Sequence, residues 1–137
     1  MRHRLTDTLH VGDRAAARDV EALSDAGITA VLRLTHGTPP AYPDSLTVVS
    51  RPLVDGPRND LSNFRAAVDR LTALLDADET VLVHCSAGSS RSVAVAVAAL
   101  ARRNGTDVET ALDRLQSAHP DADPHPALVD HARRVVE

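Results

Sequence analysis

The chain has no lysine and no tryptophan, and only one cysteine, one methionine, one tyrosine and one phenylalanine among its 137 residues. A single thiol excludes an internal disulfide and a zinc cluster built on cysteines, and it suits a reducing compartment. With so few aromatic side chains, the core must be assembled from Ala, Val and Leu. All fifteen basic residues are Arg, a bias that GC-rich coding explains and adaptation to high salt would also produce; neither bears on mechanism. No apolar segment follows Met1-Arg2-His3-Arg4, so no signal peptide is expected. The longest apolar run, Val93 to Ala101, is far short of the roughly 20 residues that span a bilayer. A net charge of -4 gives no general attraction to nucleic acid or anionic lipid. A chain of this length is expected to form one domain over residues 1–137, burying roughly two-thirds of its unfolded surface. These readings describe a soluble, cytoplasmic protein, expected to act as a monomer away from membranes and nucleic acid.

Strand and helix patterns alternate along the chain. Residues 4–11 read as an edge strand ended by Gly12. Asp13 is a candidate N-cap for a helix over 14–26, with Gly27 as its stop. Ile28 to Leu34 reads as a buried strand, Thr35 to Ser45 as a Pro-rich loop, and Leu46 to Leu53 as a third strand broken by Pro52. After the turn-rich Val54 to Asp60, Leu61, Phe64, Val68, Leu71 and Leu75 recur at helical spacing and predict a helix over 61–77. Asn104-Gly105 reads as a C-cap. Thr106 to Glu109 reads as a capping box for a helix ending near His119-Pro120, and a last helix starts at Pro124 to Pro126. The expected fold is α/β, with a central, mostly parallel sheet of four to five strands flanked by helices.

One stretch organises the rest: Val81-Leu82-Val83-His84-Cys85-Ser86-Ala87-Gly88-Ser89-Ser90-Arg91-Ser92, followed by Val93 to Ala101. It reads as buried strand, tight loop and a helix apolar all round, hence central. Small residues let the loop turn its N–H groups inward at a helix N-terminus, which is a ready anion site. A thiolate is favoured beside such an N-terminus and a guanidinium. Arg91 offers the planar fork that grips two phosphate oxygens. Five residues separate Cys85 from Arg91, enough to wrap a tetrahedral oxyanion over the sulfur.

His84-Cys85-x-x-Gly88-x-x-Arg91-Ser92 resembles the signature of the cysteine-dependent protein tyrosine phosphatases, and Gly88-Ser89-Ser90-Arg91-Ser92 looks most like the dual-specificity branch. The resemblance implies a dual-specificity-phosphatase-like fold and phosphomonoester hydrolysis through a phosphocysteine, with no metal or other cofactor. It implies that Cys85 is the nucleophile and that Arg91 and the amides of Ser86, Ala87, Gly88, Ser89 and Ser90 bind the phosphoryl group. Ser92 would help the thiolate leave, and His84 would order the loop. The family takes its acid from an Asp upstream of the Cys, in the context that Asp55 occupies here. Asp60 competes, but its place before Leu61 makes it the N-cap. Ser89 and Ser90 are expected to contribute backbone only, and Arg58 to be solvated. His119, Asp121, Asp123 and His125 hold enough donors for a metal, yet read as an interhelix turn.

The expected partner is a phosphoprotein or a small phosphorylated substrate. Without an extension that would deepen the pocket, the site should be shallow and admit phosphoserine, phosphothreonine and phosphotyrosine. No Lys stands in the loop, which disfavours inositol phosphates and lipids; net charge disfavours RNA 5′-phosphate. The competing class is a phosphate-binding module without turnover. A rhodanese-like sulfurtransferase is disfavoured because its loop is typically one residue shorter.

Overall fold

The computed structural model describes residues 1–137. The chain forms β1 (Arg2–Arg4), β2 (Leu9–Gly12), α1 (Arg14–Arg18), α2 (Val20–Asp25), β3 (Ala30–Arg33), β4 (Thr47–Ser50), α3 (Leu61–Asp76), β5 (Val81–His84), α4 (Arg91–Asn104), α5 (Val108–Ala118) and α6 (Pro126–Val136). The sheet runs β1-β2-β5-β3-β4, with β1 antiparallel to β2 and every other pair parallel. This is the α/β architecture that the alternating pattern predicts.

Local chemistry redraws several boundaries. The strand expected over 4–11 is a hairpin, because Thr6 Oγ1 accepts from the amides of Thr8 and Leu9 at 3.2 and 3.0 Å and turns the chain. The edge is therefore β1, while β2 is fully buried. The helix expected over 14–26 breaks at Asp19, whose carboxylate caps α2 by accepting from the Ala22 amide at 3.1 Å. Asp13 caps α1 as expected, accepting from Ala16 at 2.8 Å. The capping box is displaced by one residue. Asp107 is the cap, accepting from the Thr110 amide at 2.7 Å, and the Thr106 hydroxyl is buried without a partner. Asp60 stands at the N-cap of α3, but its carboxylate makes no capping bond.

Strand periodicity sorts the apolar side chains to two faces. Val31 and Leu82 meet Ala17, Leu23 and Ile28 under α1 and α2. Leu9, Val11, Ala30, Leu32, Val81 and Val83 face the larger core. There α4 packs against α3, α5 and α6, with Ser92 to Ala99 and Ala101 all buried. Its many Ala and Val side chains let three helices close around it. Gly105, at φ 66°, ends it in the left-handed conformation that glycine tolerates.

Phe64 is fully buried, its ring 5.7 Å from that of His131 and inclined at 57°. Phe64→Ala should lower stability by about 3–5 kcal/mol through lost burial and a cavity, read as a fall in the urea midpoint. A midpoint equal to wild type would mean that α3 and α6 repack across the gap.

Candidate active site

Cys85 follows β5 directly and is 2% exposed. Its amide donates to Gly12 O at 3.3 Å. Its Sγ lies 3.2 Å from Ser92 Oγ, on the first turn of α4. Between them, residues 86–90 form a loop whose polar groups are sorted by direction. Ser86 O accepts from the Arg14 amide at 3.1 Å, and Ser89 O accepts from the Asp123 amide at 2.8 Å. Gly88 O accepts from His119 Nε2 at 2.8 Å. The amides of Ser86 to Arg91 donate to no protein acceptor. Outward carbonyls and inward amides make the concavity of partial positive charge that binds oxyanions.

Gly88 is required twice over. Its φ is +74°, and a Cβ there would lie 2.8 Å from Gly12 C and 2.9 Å from Asp13 N. The loop thus rests on the β2–α1 junction with no room for a side chain.

Asp55 is exposed but fixed over the loop, its Oδ1 accepting from Ser90 Oγ at 2.6 Å. Ser90 Oγ also accepts from the His125 amide at 2.9 Å. The expectation that Ser90 supplies backbone alone is therefore corrected: its hydroxyl joins the Asp55 segment to the α6 N-terminus. Arg91 is half-buried, and its Nη1 donates to Leu53 O at 3.0 Å, just before Asp55. The expected residues Cys85, Ser92, Arg91, Ser86, Ala87, Gly88, Ser89, Ser90 and Asp55 are thus brought together. Arg58 is exposed and forms no ion pair.

Three supporting residues carry no local signal in the sequence. Asn59 folds the Asp55 loop by accepting from the Val54 amide at 2.8 Å and donating to the Val54 carbonyl and to Gly56 O. His131 Nε2 donates to Asn59 O at 2.8 Å. His119, expected in an interhelix turn, is fully buried, stacked on His3 at 3.8 Å. Its bond to Gly88 O makes the 119–125 segment a buttress of the loop, and no cluster of ligating side chains forms there.

The family model of the dual specificity phosphatase catalytic domain matches residues 9–131. Human dual specificity phosphatase 28 is 29% identical over 135 residues, covering 98% of this chain and 77% of that protein. Dual specificity protein phosphatase 1 of Arabidopsis thaliana is 31% identical over 122 residues, covering 88% of this chain and 62% of its own length. The crystal structure of human DUSP28 has a TM-score of 0.86 at 28% identity, over 98% of this chain and 91% of that one. A mouse protein described as a dual specificity phosphatase complexed with zinc tungstate has a TM-score of 0.87 at 28% identity, over 98% of this chain and 85% of that one. A helix-flanked α/β sheet, a cysteine loop at its carboxyl edge and these relatives together define the class: the chain belongs to the dual specificity phosphatase family. It is a protein tyrosine/dual-specificity phosphatase.

His84 is 2% exposed. Its Nδ1 donates to Cys85 O at 3.4 Å, and its Nε2 is buried without a partner. Burial, with the positive charges of Arg33, Arg14 and Arg91, lowers its pKa from 6.5 to about 4. The sign of the linkage follows. Above pH 6.5 the ring is neutral folded and unfolded, so it adds no pH dependence. Between pH 6.5 and 4 the unfolded chain takes up a proton that the folded chain refuses, and stability falls as pH falls. Denaturant midpoints at pH 7 and pH 4.5 should therefore drop less in His84→Gln than in wild type, the difference approaching about 2 kcal/mol. Parallel pH dependences would show that His84 is not held neutral.

Proposed function

We propose that the protein hydrolyses phosphoprotein monoesters, phosphotyrosine and phosphoserine or phosphothreonine alike, through a phosphocysteine at Cys85. The observation that carries this reading is the sulfur beneath a ring of amides that have no protein acceptor, with Asp55 above the same loop. Tungstate, named with the mouse relative, is a tetrahedral oxyanion like phosphate and fits the same donor set.

The Cys85 thiolate attacks phosphorus and forms the S–P bond. The P–O bond to the side chain breaks, and Asp55 gives its proton to the departing oxygen. Arg91 and the inward amides hold the three equatorial oxygens, where charge develops. Arg91 must leave part of its fork free of Leu53 to do so, which its single bond to that carbonyl allows. Asp55, now ionised, takes a proton from water as the oxygen of that water attacks phosphorus. The S–P bond breaks, and the Ser92 hydroxyl, 3.2 Å from Sγ, stabilises the departing thiolate. Inorganic phosphate leaves. No step calls for a metal. A free thiolate of this kind suits a reducing cytoplasm.

The test is hydrolysis of a phosphotyrosine peptide with EDTA present. Wild type should turn over and Cys85→Ser should not. Asp55→Asn should lose about 10²–10⁴-fold in kcat while peptide binding stays nearly unchanged. Equal rates for wild type and Asp55→Asn would sink the assignment of the acid. A folded wild type without activity on this peptide, p-nitrophenyl phosphate or RNA 5′-phosphate would make the chain a silent phosphate-binding module.

A further inference from the structure

A second basic cleft lies beside the reactive loop, on the α1–α2 side of the sheet. Arg14, Arg18, Arg33 and His36 line it, with Thr35 and His84, and its cavity volume is about 30 Å³. Arg33 ends β3 and pairs in register with His84, the residue before Cys85. It is 4% exposed. Its Nη1 donates to Ser50 Oγ at 2.9 Å and its Nη2 to Gly37 O at 3.4 Å. Its Nε is buried with no acceptor.

None of Arg14, Arg18 and Arg33 pairs with a carboxylate, although acidic residues outnumber basic ones 19 to 15. A buried guanidinium without a counter-charge is costly, and the protein supplies none. Arg14 is exposed and reaches the reactive loop itself. Its Nη2 donates to Ser86 Oγ at 3.0 Å, so a side chain that lines the cleft also touches the loop.

We propose that this cleft is a second oxyanion site, which takes a phosphoryl or carboxylate group lying next to the phosphoryl group on the reactive loop. Arg33 binds it from the floor through Nε and the free face of its fork. Arg14 binds it from the rim and sets its distance from the scissile group. This deepens the phosphatase reading and rests on it. The missing lysine of the loop is replaced, in charge, by arginines from β3 and α1. The site selects substrates with a second negative charge beside the phosphoester, or it admits a free inorganic anion.

Two measurements test the site and separate it from the phosphatase reading. The first is kcat/KM at fixed ionic strength for phosphotyrosine peptides that differ only in one adjoining residue, uncharged or phosphoserine. Wild type should favour the doubly charged peptide by about tenfold or more, the scale of one charge-assisted contact. Arg14→Gln and Arg33→Gln should bring the ratio toward one. The second is an amide and Arg side-chain NMR titration of Cys85→Ser with inorganic phosphate, which needs no turnover. Shifts at Arg33 Nε–H that saturate separately from those of residues 86–91, and vanish in Arg14→Gln, support the site. Peptide selectivity assigns the anion to the substrate; a second phosphate site without selectivity assigns it to a free anion. If Arg33→Gln does not fold, the exposed Arg14→Gln carries both arms. Equal peptide ratios in wild type and Arg14→Gln, with phosphate shifts confined to residues 86–91, would overturn the proposal. Loss of all turnover with the Arg33 shifts intact would instead overturn the phosphatase reading alone.

Discussion

Everything at the site depends on which way five peptide units face. A loop of small residues has no side-chain core of its own, so nothing inside it fixes its backbone. Donors around it do. The Arg14 amide, His119 Nε2 and the Asp123 amide take its carbonyls, and Gly88 presses against Gly12 and Asp13. With these three carbonyls held outward, the amides that follow them in the same peptide units face the other way. The positive concavity is thus a consequence of bonds made on the outside of the loop. It costs no reorganisation when charge develops, which is the property that electrostatic catalysis requires.

Those outer donors come from distant parts of the chain, so the fold must hold them at fixed mutual positions. The near absence of aromatics makes this possible in a particular way. α4 is lined with Ala and Val and buried from Ser92 to Ala99, which lets α3, α5 and α6 approach on short radii. Arg102 pairs with Asp69 at 2.7 Å and Arg103 pairs with Asp76, tying the end of α4 to α3. α6 brings His125 and His131 to Ser90 and to the Asp55 loop. The loop after Cys85 and the Asp55 loop are therefore referenced to the same two helices, α4 and α6.

The sequence was legible where physics is local. Continuous apolar runs located the buried parallel strands, a period of 3.6 located α3, and an apolar run without polar relief marked α4 as the central helix. The strand–loop–helix around Cys85 carried its own chemistry. Asp55 was singled out as the candidate acid from the resemblance, by its place after a strand and before α3. What could not be read was set by partners far along the chain or by small competitions among caps. Ser90 and Asp55 are 35 residues apart, and His131 and Asn59 are 72 apart. No spacing rule joins them. The β1–β2 hairpin turned on one threonine hydroxyl, and the break at Asp19 on a carboxylate that caps better than the helix could continue. Arg33 read as one more residue of a buried strand. Only the register, which sets it beside His84, shows that a charge has been buried at the edge of the site.

That placement explains why His84 must be neutral. The ring bonds to the Cys85 carbonyl and feels the positive charges of Arg33, Arg14 and Arg91. A charged imidazole there would be a further buried cation without a counter-ion, and burial alone already resists it. The neutral ring spends its Nδ1 proton on Cys85 O. Positive potential at this edge then comes from groups that cannot lose it near neutral pH, the arginines and the peptide dipoles. His84 stands between Cys85 and the arginine cleft that it helps to line, and adds charge to neither. The arrangement gives two anion-attracting surfaces with one uncharged partition, in a chain whose overall charge is negative.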